Sequence, residues 1–213
     1  MEHWVVRPDG SIRWLSVKKQ VVFGDVAGVR SPLTGVLARL DITARKQAEE
    51  VDNLLAQAGD GFAHEAFFPA LARFLATNLR MDYICIDQLD EDGIDATTLT
   101  VWRDGRFREN RIYALSGTPC ETVLEHGSCS YPSNVSRLFP KDVPLTEMRA
   151  ESYVGFTLMT HAGKPIGLIA ASGRRELADQ ALAEATLERV ATRAAGELQI
   201  SGGNEDRPNH GYA

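Results

Sequence analysis

Tyr113-Ala114-Leu115-Ser116-Gly117-Thr118-Pro119-Cys120-Glu121 closes one element and opens another. Tyr113 to Leu115 ends a strand-like run that begins at Arg106, and Gly117 interrupts it. Thr118 at the cap, Pro119 at the first helical position and Glu121 at the third make a capping box. A short helix to about Glu125 is expected, stopped by His126-Gly127.

Upstream, Tyr83 to Leu89 and Ala96 to Trp102 read as strands. Asp90-Glu91-Asp92-Gly93 and Asp104-Gly105 supply the turns that join them into an antiparallel meander with Arg106 to Leu115. Phe67, Leu71, Phe74 and Leu79 predict an amphipathic helix before them, from about Ala66 to Arg80. Downstream, Cys129 to Tyr131 is a brief strand, and Ser133 to Arg137 and Asp142 to Ala150 are short helices around Phe139-Pro140. Ser152 to Thr160 and Lys164 to Ser172 are strands about the turn Ala162-Gly163. Ala183, Leu187, Val190, Ala194 and Leu198 mark one face of a long final helix. The order fits an α+β domain: a central antiparallel sheet with long helices on one face and short helical excursions on the other. From Ser201 the chain is rich in Gly, Asn and Asp, and a disordered tail is expected over 201–213.

The N-terminal part reads differently. His3 to Val6, the turn Pro8-Asp9-Gly10-Ser11 and Ile12 to Phe23 predict a β-hairpin, closed by Gly24-Asp25. Thr34 to Ile42 adds a third antiparallel strand. Thr43 is the expected cap of a helix whose Lys46, Glu49 and Glu50 face solvent. Val51, Leu55, Ala58 and Phe62 recur at the spacing of a short coiled-coil seam, broken by Gly59-Asp60-Gly61.

The chain has 213 residues, 44% of them hydrophobic, and a formal net charge of -6. That is enough apolar material for a core, and a net-acidic chain without a basic block argues against nucleic acid or an anionic membrane as partner. No apolar run approaches the roughly 20 residues that span a bilayer, and Met1 to Arg13 lacks a signal-peptide pattern, so a cytoplasmic protein is expected. Three cysteines without a C-x-x-C, and five scattered histidines, suggest neither a disulfide framework nor a metal site.

Two stretches resemble known families. Val5-Val6-Arg7-Pro8-Asp9-Gly10-Ser11-Ile12-Arg13-Trp14-Leu15, with Asp41-Ile42-Thr43-Ala44-Arg45-Lys46-Gln47-Ala48-Glu49-Glu50, resembles the C-terminal part of a PAS domain, the PAC motif. The earlier strands and helices of a complete PAS domain have no counterpart in this sequence. From Phe67 to Leu198 the chain resembles a GAF domain of the kind found in bacterial histidine kinases and diguanylate cyclases. The resemblance rests on Tyr113 to Cys120, Tyr131-Pro132, Phe139-Pro140, Ala150 to Gly155, Gly163 and Ile166-Gly167. It implies a PAS remnant over 1–43, a helical linker over 44–62 and a GAF domain over 63–200. It also implies a sensory role, with a small-molecule or redox input passed to a kinase or cyclase output domain outside this sequence, in cis or in trans. The alternative is a degenerate GAF domain used only for dimerisation or protein contact.

Four residues are candidates for a ligand pocket: Cys120, Tyr131, Phe139 and Tyr153. At the second position of a capped helix, Cys120 is either a thiol activated by backbone N–H groups or a small buried residue facing the pocket. The three aromatics either line that pocket or fill space beneath the excursion loops. Asp41, Thr43, Leu55, Leu187 and Leu198 are candidates for signal relay through a homodimer. No G-x-S-x-G or Walker loop occurs, so no enzyme is expected. No cofactor is expected either: bilin-binding GAF domains carry a Cys-His pair that is missing here, and Asn134, Phe139 and Asp142 match only part of the cyclic-nucleotide pattern.

Overall fold

The structure is a computed structural model that describes residues 1–8, 12–59 and 64–205. It divides into two compact units, Met1–Glu50 and Val51–Ala213.

In the first unit β1 (Glu2–Val6), β2 (Ile12–Val26) and β3 (Val29–Asp41) form an antiparallel sheet in the order β1-β2-β3. Trp4 lies opposite Trp14, and Leu15 opposite Asp41. The turn expected at Pro8 to Ser11 falls largely on Asp9 to Ser11, outside the described residues. β2 does not stop at Gly24-Asp25, as the sequence suggested. It runs to Val26 and turns on Ala27 and Gly28, both at positive φ (54° and 80°), as a two-residue hairpin of this twist requires.

Helix α1 (Thr43–Gly59) starts one residue earlier than a Thr43 cap would place it. Asp41 does the capping: its Oδ1 accepts from the Thr43 N–H at 2.9 Å and from the Thr43 hydroxyl at 2.6 Å. Those bonds hold the Asp41 carboxyl below its ordinary range. Thr43 Oγ1 in turn accepts from the Trp14 N–H at 2.9 Å, tying the helix start to β2. Lys46 is not a freely solvated charge. It lies 5.6 Å from the centre of the Trp14 ring and bridges Glu2 and Glu49.

The second unit continues with α2 (His64–Leu79), β4 (Tyr83–Leu89), β5 (Asp95–Arg103), β6 (Arg106–Arg108), β7 (Ile112–Ala114), α3 (Pro119–His126) and β8 (Ser128–Tyr131). It ends with α4 (Val135–Leu138), α5 (Val143–Met148), β9 (Ser152–Met159), β10 (Pro165–Gly173) and α6 (Gln180–Glu205). The strands form one antiparallel sheet, β6-β5-β4-β10-β9-β8, with β7 also paired to β5. Strand alternation divides the core in two. Ile84, Ile86, Val154, Leu158, Ile169 and Ala171 meet Leu71 and Leu75 of α2 and Leu187 and Val190 of α6. Tyr83, Cys85, Tyr153, Leu168 and Ala170 meet Val123, Val135 and Leu145 of the short helices α3, α4 and α5.

Three expectations are corrected here. Arg106 to Leu115 is two short strands, because the Arg111 N–H donates to Thr98 Oγ1 (2.7 Å) and Asn110 Nδ2 to Leu99 O (2.9 Å) between them. Helix α6 continues through Ser201 to Glu205; the rest of the tail, 206–213, lies outside the described residues. The apolar stripes read as a seam are largely covered within their own unit. Leu187 is 0% and Leu198 4% exposed, and Val51 and Leu55 join the same core. The seam positions Ala58 and Phe62 lie outside the described side chains. Arg189 of α6 makes a forked ion pair with Asp52 of α1, with Nε–Oδ1 at 2.9 Å and Nη2–Oδ1 at 2.7 Å.

Candidate functional site

On the short-helix face, β4 presents Tyr83, Cys85 and Asp87, while Ile84 and Ile86 point to the long helices. Asp87 is 0% exposed in the middle of the sheet. It stands at a β-bulge: Ile86 pairs with Thr100 and Asp87 with Thr98, so Leu99 is an extra residue in β5. A buried carboxylate requires donors. Cys85 Sγ donates to Asp87 Oδ1 at 2.7 Å and the Tyr113 hydroxyl to Oδ2 at 2.7 Å.

Tyr113 reaches Asp87 from β7. Its hydroxyl is also 3.6 Å from Cys120 Sγ at the start of α3, and Cys120 Sγ is 3.3 Å from the Tyr153 hydroxyl of β9. Gly155 makes room for that phenol, since a Cβ there would lie 2.6 Å from the Tyr153 hydroxyl oxygen and 2.5 Å from Val123 Cγ2. Strands β4, β7 and β9 and helix α3 thus converge on a chain of two phenols, two thiols and one carboxyl.

The start of α3 differs from a capping box. Thr118 Oγ1 donates to Leu115 O at 2.6 Å, and Glu121 Oε2 accepts from the Gly117 N–H at 2.8 Å. The Thr118 hydroxyl is spent on locking the Gly117 turn. Asp142 is the side-chain cap of α5, accepting from the Leu145 N–H at 3.1 Å, and burial raises its carboxyl. Glu151 accepts from the Asn134 N–H at 3.1 Å, which holds the start of α4.

Beside this chain is a cavity of about 240 Å³. Cys85, Tyr113, Cys120 and Tyr153 line its inner end, Val143, Leu145 and Ala170 contribute apolar wall, and the exposed Arg111 and Lys141 stand at its mouth. The Arg111 guanidinium lies 5.7 Å from the centre of the Tyr113 ring, whose hydroxyl points the other way, to Asp87. Of the four pocket candidates, Cys120 and Tyr153 are on the cavity wall. Tyr131 packs edge-on against Phe139 (centroids 5.2 Å apart) and lies 6.3 Å from the Tyr153 ring, supporting it from behind.

Burial dominates the ionisation of the site. It pushes Asp87 up to about 7, opposed by the hydrogen bonds from Cys85 and Tyr113 and by the Arg111 charge. Burial, then the nearby Asp87 charge, pushes the Cys120 thiol up to about 12 and the Cys85 thiol well above its ordinary value. Burial also lifts Cys129 to about 12. Cys120 is therefore a neutral thiol at physiological pH despite its place at a helix start. Asp87, Cys85, Tyr113, Arg111 and Lys141 were not among the sequence candidates; the Tyr83-Ile84-Cys85-Ile86-Asp87 alternation was the signal that pointed to the first two.

The other candidates lie elsewhere. Asp41 caps α1 and Thr43 is its first residue, both in the first unit, and Leu55, Leu187 and Leu198 are in the helix-side core of the second. Among the described residues no group of His, Cys, Asp and Glu is arranged to hold a metal ion, and no helix is long and apolar enough to cross a membrane.

Comparison with curated protein sequences gives no match. Solved structures share the fold. The GAF domain of an Acinetobacter phosphoenolpyruvate-protein phosphotransferase aligns with a TM-score of 0.62 at 13% identity, over 76% of this chain and 98% of that one. The chromophore-binding domain of a bacteriophytochrome from R. palustris aligns with a TM-score of 0.61 at 11% identity, over 96% of this chain and 75% of that one. Free methionine-R-sulfoxide reductase from Neisseria meningitidis, in complex with its substrate, gives a TM-score of 0.59 at 12% identity, over 76% and 93% of the two chains. The GAF domain model matches residues 63–198, most of the chain, and the chain belongs to the GAF domain family.

Proposed function

We propose that this chain is a sensory and regulatory module of bacterial signal transduction, in which the cavity takes a small molecule and the helices relay its presence. The observation that carries this reading is the cavity itself. Its inner end is built from side chains of β4, β7, α3 and β9 whose polar groups converge on one point. A sheet that merely joined two surfaces would gain more from an apolar filling there.

The relay follows from the two-faced sheet. Tyr83 and Cys85 face the cavity, while their neighbours Ile84 and Ile86 touch the core under α2 and α6. Packed cores transmit small displacements rather than absorb them. Asp52–Arg189 couples α6 to α1, and α1 is a continuous helix from Thr43 to Gly59. We place the output, a kinase or cyclase domain in cis or in trans, outside this sequence. Residues 1–43 are read as the C-terminal part of a PAS domain and 44–62 as the linker, supported by the three-stranded sheet and its Asp41-Ile42-Thr43 exit into α1. The alignment with the bacteriophytochrome domain over 96% of this chain supports a sensory setting. The proposal includes a cytoplasmic homodimer without enzymatic activity of its own.

The test is to screen the purified chain for retained small molecules by mass spectrometry, and against a metabolite library by thermal shift. Ala114→Trp, at an exposed position on the cavity wall, serves as the blocked control. A compound that stabilises the native chain and not the blocked one supports the reading. A library that never distinguishes the two ends it.

A further inference from the structure

We propose that the cavity takes a small zwitterion, its amine end inward against Cys85, Tyr113 and Tyr153 and its carboxylate end outward toward Arg111 and Lys141. This inference rests on the sensory reading of the same cavity and adds the chemical class of the ligand.

The argument is a count of protons. A phenol and a thiol each have one. Tyr113 and Cys85 both donate theirs to Asp87, at 2.7 Å each. Tyr83, a third phenol on the wall, gives its proton to the Cys85 sulfur, so what Tyr113 and the remaining side of Cys85 turn toward the cavity is lone pairs. Cys120 and Tyr153 are 3.3 Å apart, and one of them donates to the other. The inner end is thus rich in acceptors and backed by a fully buried carboxyl. A carboxylate or phosphate directed inward would meet lone pairs and a like charge. An ammonium group brings three donors and the opposite charge.

The mouth has the reverse character. Arg111 and Lys141 are exposed cations, and the one carboxylate beside them, Asp142, already holds the Leu145 N–H. An outward anion fits there. Between the ends, Val143, Leu145 and Ala170 offer apolar contact for a side chain. The volume of about 240 Å³ lies below the ~300–1,000 Å³ of sites for drug-sized ligands. It matches the size of a free amino acid better than that of a nucleotide.

The experiment is calorimetric titration of the whole chain with L-leucine, isocaproate (the same skeleton without the amine) and isopentylamine (without the carboxylate). The other common L-amino acids are scanned by thermal shift, and the best binder replaces leucine with its own matched pair. We expect a zwitterion to bind and each one-ended analogue to bind more weakly by on the order of tenfold or more. Asp87→Asn should abolish the preference for the amine and Arg111→Gln the preference for the carboxylate. Should Asp87→Asn not fold, Tyr113→Phe removes the acceptor itself and should give the same amine-specific loss.

Asp87 acts through Tyr113 and Cys85, so it is a positioning residue, and pH provides a readout that a merely structural role would not move. Tyr83 and Cys85 from β4, Arg111 and Tyr113 at β7, Cys120 from α3 and Tyr153 from β9 surround it. Burial raises the phenols and thiols among them and keeps them neutral, while Asp87 itself changes charge near neutrality. Zwitterion affinity should fall as pH drops below about 7, while isocaproate shows no such loss. An amine-free acid that binds as well as its parent overturns the proposal. So does a zwitterion indifferent to Asp87→Asn, Tyr113→Phe and pH. Binding only by some other class of compound overturns this inference and leaves the sensory reading standing; no binding by any class removes both.

Discussion

The hydroxyl of Tyr113 donates to Oδ2 of Asp87 at 2.7 Å, across 26 residues of sequence. That bond joins the short outer strand β7 to β4 near the middle of the sheet. With the Cys85 thiol it supplies the donors that a buried carboxyl needs, and it makes the ionisation of one residue a property of the whole cavity.

The pH dependence of stability should therefore carry the signature of Asp87. In an unfolded chain its carboxyl is ionised above about 4, whereas in the fold it stays protonated up to about 7. Between these values the folded state holds the extra proton. The contribution to stability is full below about 4 and is lost as pH rises to about 7, by at most about 4 kcal/mol. Chemical denaturation from about pH 5 to pH 8 checks this. Asp87→Asn should flatten that falling limb; parallel pH profiles for the two proteins would rule the account out.

Thiol chemistry gives a second outcome. Burial keeps Cys85, Cys120 and Cys129 protonated, so alkylation of the native chain at about pH 8 should proceed far more slowly than that of the denatured chain. Counting modified thiols by mass spectrometry decides it. Rapid native labelling of Cys120 would restore the redox reading of that residue.

At the start of α3, Thr118→Ala should cost about 1 kcal/mol, from loss of the hydroxyl bond to the Leu115 carbonyl, which keeps only the Thr118 N–H at 3.1 Å. Cys120→Ser should cost less, because a hydroxyl can replace the thiol between two phenols. Thermal melts of both variants compare them. A larger loss for Cys120→Ser would mean that thiol packing, rather than the Leu115 turn, secures the helix.

A further variant tests the close fit at the inner end. Gly155→Ala would bring a methyl 2.5 Å from Val123 Cγ2 and 2.6 Å from the Tyr153 hydroxyl. We expect a loss of roughly 1–3 kcal/mol and a weakened zwitterion response, because Tyr153 must move off Cys120. An unchanged melt with unchanged binding would show that this phenol is not fixed by Gly155.

Much of this was legible from residue types and spacing, and the failures have physical causes. The order of strands and helices followed from apolar alternation and turn residues. The β2–β3 turn was misplaced because Ala27 occupies a positive-φ position where Asn or Asp is the usual signal, while Gly24 sits inside the strand. Thr118 has the right spacing for a capping box, but spacing does not say whether a hydroxyl donates backward to Leu115 or accepts forward. Asp87 was overlooked because Asp87-Gln88 before Leu89-Asp90 resembles the polar end of a strand. Only pairing with β5 and β10 shows it to be central. The stripes on α1 and α6 were real, yet the same stripe serves a dimer seam or the inside of one unit, and the sheet takes most of it.

That last point changes how the homodimer has to be tested. Leu187 is 0% exposed, so Leu187→Glu buries a charge in the core and should unfold the second unit whether or not copies associate. Loss of helical circular dichroism, independent of concentration, is the expected result. An interface between helices has to use their exposed sides: Asn53 and Ala56 on α1, and Ala185, Glu188, Thr192 and Ile200 on α6. Apart from Ile200 near the end of α6 these are small or polar, so the association should be weak and sensitive to salt. Cysteine placed at Ala56 or Glu188 should link two copies under mild oxidation, while the three native thiols stay buried enough not to compete. Sedimentation at several concentrations must agree with the crosslinks. A native chain that remains monomeric at tens of micromolar ends the dimer proposal. Crosslinking at neither position, with a dimer still present in sedimentation, moves the interface off α1 and α6 and takes the helix relay with it.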